Sequence, residues 1–301
     1  MTDLHRVVIG SGRSNLSQAE ARWVGGELRR LRPHLKVEYV VIARGAERAS
    51  GSKEIDDALL GGTIDVAAQS AKRLPLEDVA GLALAAVPTR ELPFDVLVAP
   101  EGIGFEDLPR GSRVGTCGLH RRAQLLSHRA DIVVIDTAGD PEACLAKFER
   151  GELDALVLPG AELERLGLAD RVAEILMASV CLPEPGQGAI ALRVREKDAK
   201  TREFVHLLDD PVARAAVLAE RACLRTVRGV IEAPFAAYCE AMGEDLSLEA
   251  LVTSPDGRRI VRDSEEGTID EAETIGGSLG RRLLEEGGDS ILRTIPSAAR
   301  G

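Results

Sequence analysis

The sequence predicts an α/β protein, with two units of alternating strands and helices followed by a smaller α+β domain. Three observations carry this. Short β-branched or small apolar runs alternate with amphipathic helical segments as far as Arg225. At 301 residues the chain exceeds one ordinary core and divides into two or three domains. From Ala233 the pattern changes to three strands in succession and one long helix.

In chain order, His5 to Ser11 (HRVVIGS) reads as a strand and Asn15 to Leu31 as a helix, with Leu16, Ala19, Trp23, Leu28 and Leu31 on its apolar side. Ser14 is placed to cap that helix. Arg13 then lies on a strand-to-helix turn, where a helix N-terminus and a cation together favour an anion; a capped surface arginine is the alternative. Val37 to Ile42 is a second strand, Arg44 to Lys53 a polar, mobile stretch, and Glu54 to Leu60 a short helix.

Ile64 to Pro75 (IDVAAQSAKRLP) runs from an apolar strand into a polar turn that Pro75 ends. Ligands of open α/β sheets bind beyond the carboxyl ends of the strands, so Gln69, Ser70, Lys72 and Arg73 are expected to face a cleft, with a solvated turn as the alternative. Leu82 to Pro88 and Asp95 to Ala99 follow as strands.

The second unit begins near Asp95. Arg113 to Gly115 is a strand, and Gly115 to Gln124 (GTCGLHRRAQ) enters a helix whose first turn holds Thr116, Cys117, His120, Arg121 and Arg122. Ile132 to Ile135 is a strand, Pro141 to Arg150 a helix with proline in its first turn, and Leu153 to Leu158 a strand. Glu162 to Leu168 and Asp170 to Leu176 read as helices. PEPGQG (Pro183 to Gly188) is a linker, Ala189 to Arg195 a strand, and Thr201 to Leu208 and Pro211 to Arg225 are helices. The last domain reads as strands Ala233 to Glu240, Ser247 to Thr253 and Arg258 to Val261, a turn at Pro255-Asp256-Gly257, and a helix from Ile269 to Glu286.

Composition narrows the function. A net charge of −11 repels polyanions, and aromatics at 3% leave few platforms for stacking bases, so no nucleic-acid partner is expected. No apolar run approaches the roughly 18 residues of a membrane span, and Met1 to Arg6 holds no secretory core, so a soluble cytoplasmic protein without a membrane partner is expected. The five cysteines (Cys117, Cys144, Cys181, Cys223, Cys239) are widely spaced with no CxxC pair, which argues against a disulfide framework and a zinc site; no metal is expected.

Six segments in order, IGSGRSNLS, ALLGGTIDVAAQSAKRLP, VGTCGLHRRAQL, KFERGELDALVLPGAELERLGL, LPEPGQGAIAL and AERACLRTVRGVIEAPFAAY, make the chain resemble the porphobilinogen deaminase (hydroxymethylbilane synthase) family along almost its whole length. The resemblance implies two periplasmic-binding-protein-like α/β domains and a C-terminal α+β domain, at 1–92 plus 187–208, 95–182 and 210–301. Members of that family join four porphobilinogen units with release of ammonia. They build on a dipyrromethane cofactor held by a thioether to a cysteine, with arginines on the carboxylates and an aspartate handling the pyrrole nitrogens.

Against that pattern several chemical positions differ. The cysteine of GGCxxP falls on Ile231 in GVIEAP, which cannot form a thioether; Cys223 and Cys239 are doubtful substitutes. The aspartate after the lysine of HSxKDxP falls on Arg73. A guanidinium has no acceptor for pyrrole N–H and repels an azafulvene-like cation, a reversal set against a Coulomb term of roughly 4 kcal/mol at about 4 Å and an effective dielectric near 20. In place of SSLRR stand Cys117, Gly118, Leu119, His120 and Arg121, and Ala138 to Cys144 (AGDPEAC) replaces RGNVxTR.

The resulting expectation is a divergent member not competent for hydroxymethylbilane synthesis, a pseudoenzyme that binds a small carboxylate-bearing anion in a basic cleft between its first two domains. The ligand-binding candidates are Arg13, Ser14, Ser70, Lys72, Thr116, Arg121, Arg122, Gln187 and Gly188. Dipyrromethane is expected absent, and the protein monomeric. The alternatives are a different reaction in a tetrapyrrole-related or specialised pathway, and a hydroxymethylbilane synthase that holds its cofactor non-covalently. The catalytic candidates are Lys72, Arg73, Cys117 and His120: a helix N-terminus would lower the Cys117 thiol pKa, and neighbouring arginines would keep His120 neutral.

Overall fold

The computed structural model describes residues 5–42, 52–227 and 234–293. In chain order the elements are β1 (Arg6–Ser11), α1 (Asn15–Leu31), β2 (Lys36–Val41), α2 (Ser52–Leu60), β3 (Val66–Ser70), β4 (Leu82–Ala86), β5 (Asp95–Val98), β6 (Arg113–Thr116), α3 (Leu119–His128), β7 (Val133–Asp136), α4 (Pro141–Glu149), β8 (Ala155–Pro159), α5 (Gly160–Arg165), β9 (Glu174–Ile175) and β10 (Ile190–Arg195). Then come α6 (Ala199–His206), α7 (Pro211–Val227), β11 (Phe235–Met242), β12 (Asp245–Thr253), β13 (Ile260–Thr268), α8 (Ala272–Leu283) and α9 (Asp289–Arg293).

The chain forms two compact units, residues 1–91 with 189–214 and residues 92–188 with 215–301. The second unit contains both an α/β sheet and the C-terminal α+β segment from 215 onward.

The first unit holds a mixed sheet in the order β2-β1-β3-β10-β4. β1 lies parallel to both β2 and β3, and β10 is antiparallel to β3 and β4. Helices cover both faces, which is why the inner strand β3 and most of β1 are buried along their length, whereas the edge strand β2 (KVEYVV) is partly exposed. Val7, Ile9, Val66 and Ala68 pack with Val24 and Leu28 of α1 and with Phe204 of α6, while Val8 and Ala67 pack with Ile55 and Leu59 of α2 on the opposite face.

Helix α1 spans Asn15 to Leu31 as read, and Ser14 caps it by accepting from the Ser17 backbone N–H. Its buried stripe is Leu16, Glu20, Val24 and Leu28 with Ala21. Trp23 and Leu31, expected inside, are 38% and 40% exposed, because the sheet meets the helix one position around from the most bulky residues. The Arg44 to Lys53 reading falls almost wholly outside the described residues.

The second unit contains the sheet β7-β6-β8-β5-β9. Leu97, Val114 and Val157 face one core; Val96, Leu156 and Leu158 face another with Leu145 of α4. The segment Asp170 to Leu176 is not the expected helix: after a short turn at Ala169–Arg171 it runs as β9, antiparallel to β5 with Val96 opposite Ile175. Cross-strand pairing outweighed its local helix preference.

The antiparallel sheet β11-β12-β13 packs its Ala237, Cys239, Leu248 and Ala250 against α7 and α8. Gly276 is required there, since a Cβ on it would lie 2.2 Å from the Ala219 carbonyl oxygen of α7. The opposite face, at Ala236 and Leu251, packs on Leu182, and the Ala237 N–H donates to the Pro183 carbonyl at 3.0 Å. β13 is longer than the expected Arg258 to Val261, and the single long C-terminal helix is found as α8, a wide turn at Leu284–Gly288 and α9.

Candidate functional site

In the first unit, parallel pairing sets the exits of β1 and β3 side by side, with Ile9 opposite Val66 and Gly10 opposite Ala67. The carboxyl ends of both strands therefore deliver Arg13 and the turn Ala71–Arg73 to the same edge of the sheet, beside the N-terminus of α1. Arg13 and Arg73 are exposed, Lys72 is half-buried and Ser70 is buried. The Ser14 hydroxyl is engaged in the helix cap, accepting from Ser17 N at 3.2 Å and donating to Ser17 Oγ at 3.0 Å. The antiparallel strand β10 starts at the same edge, where Ile190 faces Ser70 and the Ala71 N–H donates to the Ala189 carbonyl at 2.9 Å. A cationic pole of Arg13, Lys72 and Arg73 next to a helix N-terminus is suited to carboxylates.

Gln69, expected to face a cleft, is buried instead. Its Oε1 accepts from Arg193 Nη2 at 2.8 Å, and Arg193 also pairs with Asp56 of α2. Sequence reading missed this triad, although an arginine inside the apolar run AIALRV was a visible signal.

In the second unit, helix α3 begins at Leu119 with Gly118 as its N-cap; Thr116 closes β6 and Cys117 precedes the cap. Thr116 Oγ1 donates to the Val157 carbonyl at 2.8 Å. Arg121 is only 5% exposed: Nε donates to Asp95 Oδ1 at 2.9 Å, Nη2 to Gln187 Oε1 at 2.6 Å and Nη1 to the Cys117 carbonyl at 2.8 Å. Burial works against its charge, but Asp95 and Glu184 outweigh that and hold the guanidinium pKa above its ordinary value. Gln187, wholly buried, donates to Asp95 Oδ1 and to the Pro93 carbonyl. The Cys181 thiol donates to Asp95 Oδ2 at 3.3 Å, and the Gln124 carboxamide clamps both the N–H and the carbonyl of Leu182.

These contacts give the internal partners of several residues expected to contact a ligand. Thr116 ties β6 to β8, Arg121 and Gln187 hold the linker to the sheet, and Arg122 directs Nη1 to the Val134 carbonyl at 2.9 Å. Gly188 is buried, with its carbonyl accepting from Arg165 Nη2 at 3.0 Å. His120 is buried at 7% exposure. Cys117 is the exposed cysteine, but the protein mass around its sulfur pushes the thiol pKa up, with Arg121 acting in the opposite sense. The expected activation of that thiol is therefore not found, because the helix starts two residues beyond it. Ile231 lies outside the described residues. Among the described residues no group of His, Cys, Asp and Glu could hold a metal ion, and no helix is long and apolar enough to cross a membrane.

Comparison with known proteins adds the following. Residues 7–203 match the family profile described as "Porphobilinogen deaminase, dipyromethane cofactor binding domain", and residues 214–285 match "Porphobilinogen deaminase, C-terminal domain". The porphobilinogen deaminase of Desulforudis audaxviator is 39% identical over 97% of this chain and 99% of its own length, and that of Syntrophotalea carbinolica is 38% identical over 95% of each. Among solved structures, a putative methionine-binding lipoprotein of Bacillus subtilis aligns over 68% of this chain and 90% of its own at 12% identity and a TM-score of 0.46. The first match corrects the expectation that dipyrromethane is absent: the matched domain is the one named for binding that cofactor, and it spans most of both α/β sheets.

Proposed function

This chain belongs to the porphobilinogen deaminase family, and from that membership we propose that it binds carboxylate-bearing pyrroles, with elongation to a linear tetrapyrrole lost or strongly slowed. The observation that carries this is Arg73, an exposed cation in the turn after β3 beside Lys72. Arg13, Lys72 and Arg73 offer charge to acetate and propionate groups at one sheet edge of the first unit. In the second unit the turn 116–118, at the carboxyl end of β6, is the ligand-facing segment, since ligands of such sheets bind beyond the strand ends.

Dipyrromethane, when bound, supplies the primer on which pyrroles are added. Its carboxylates suit the cationic pole. The family's thioether position, residue 231, is isoleucine here, and the two thiols nearest it in sequence do not suit a thioether: Cys239 is 2% exposed, and burial pushes the fully enclosed Cys223 thiol up to about 12. Arg13, Lys72 and Arg73 would hold the cofactor through its carboxylates. Arg73 is a cation without an acceptor for a pyrrole N–H, and beside a bound pyrrole it would oppose any step that develops positive charge there.

The test uses the purified full chain with porphobilinogen. A ligand at about 100 times its Kd stabilises the native state by about 2.7 kcal/mol, so the melting temperature rises measurably, while acid oxidation yields no uroporphyrin. Arg13→Ala and Lys72→Ala reduce the thermal shift. Turnover to a linear tetrapyrrole at a rate comparable with the relatives', or a covalently attached pyrrole on the intact mass, overturns the proposal.

A further inference from the structure

Helix α7 carries an acid where its neighbours call for an alkyl group. Glu220 sits in the run AVLAERACL and is wholly buried, between Ala219 and Ala222 on the helix that underlies the C-terminal sheet. A carboxylate in such a position is costly unless hydrogen-bonded. Its two oxygens accept from two separate segments: Oε1 from the Cys239 N–H of β11 at 2.8 Å, and Oε2 from the Gly186 N–H of the linker at 2.7 Å.

The contacts continue without a gap. Gly186 is joined by one peptide bond to Gln187, Gln187 Oε1 accepts from Arg121 at 2.6 Å, and Arg121 donates to the Cys117 carbonyl at 2.8 Å. The geometry points to Glu220 as a positioning residue: it ties the linker to the C-terminal sheet so that Gln187 and Arg121 hold the turn 116–118 in its ligand-facing form. The C-terminal sheet thereby sets the shape of a turn on a different sheet. The functional weight of that turn rests on the reading in the previous subsection; the chain of contacts does not.

The test is hydrogen exchange on the full chain carrying Glu220→Gln. The carboxamide keeps the shape but presents N–H where a backbone N–H must be accepted, so one of the two bonds is lost. Amides of peptides covering 116–122 and 184–188 are expected to exchange roughly tenfold faster, the equivalent of one charge-assisted hydrogen bond. Gln187→Met, which breaks the next link, reproduces the effect at 116–122. Leu279→Ala, in the core between α8 and the C-terminal sheet, lowers the melting temperature but leaves those amides slow.

Unchanged exchange at 116–122 in Glu220→Gln overturns the inference, as does an equal acceleration in Leu279→Ala. It is also overturned if Glu220→Gln and Gln187→Met both fail to fold, since Glu220 is then an element of the fold alone. Faster exchange with an unaltered thermal shift by porphobilinogen supports the positioning role and removes the turn from the proposed ligand site.

Discussion

Replacing Arg121 by Met tests the buried network of the second unit most directly. The substitution keeps the aliphatic stem and removes the guanidinium from a site where Arg121 is 5% and Asp95 0% exposed. Asp95 then keeps the Gln187 amide at 3.0 Å and the Cys181 thiol at 3.3 Å, and loses its cation at 2.9 Å. Breaking a buried pair from one side costs about 3–5 kcal/mol, because an uncompensated charge stays behind. For a unit of this size, each kcal/mol is worth about 2–4 °C, so calorimetry should show a drop of about 6–20 °C.

The double variant Asp95→Asn with Arg121→Met removes both charges and should regain more than half of that loss. Salt should leave the deficit unchanged, since the pair is shielded from solvent. A loss below about 1 kcal/mol, or a double variant worse than the single one, would refute the assignment of Arg121 as the counter-charge of Asp95. The substitution therefore reports on the fold before it reports on any ligand.

Three further outcomes follow from other residues. Glu38 donates nothing and accepts from Arg6 and Lys36, and these cations lower its pKa to about 2. A depressed carboxyl stabilises above its unfolded pKa of about 4.3 and loses that contribution as pH falls toward 2, so Glu38→Gln should flatten the acid limb of the stability curve in that window and leave pH 7 to 8 nearly parallel. Iodoacetamide at pH 8 should label Cys117 alone in the native protein and all five cysteines after denaturation; fast native labelling of Cys223 would contradict its enclosure and its thiol pKa of about 12. Gly257→Ala should cost about 2 kcal/mol or more in urea denaturation, since Gly257 has φ +70° and an added Cβ would lie 2.2 Å from the Ala123 carbonyl of α3.

The order of elements was legible in the chain because most of them are fixed locally. The limits of α1 follow from the Ser14 cap and the strand before it, and the turn at Pro255 to Gly257 from residues suited to it. The family was legible as well, since its motifs are short contiguous runs.

What tertiary structure alone decided is which polar groups are spent inside. Arg121 reads as a ligand clamp beside Arg122, but its partners Asp95 and Gln187 lie 26 and 66 residues away, and no local pattern announces that pairing. Asp95 at the head of DVLV and Glu220 inside AVLAERACL marked buried acids without naming their partners. The segment 170–176 has the composition of a helix, yet its residues 174–175 pair as a strand because β5 offers an open edge. Hydrophobic period and capping are near-neighbour physics, so sequence order reveals them; the desolvation of a charge depends on everything that folds over it, so only the assembled chain fixes whether Arg121 meets a ligand or Asp95.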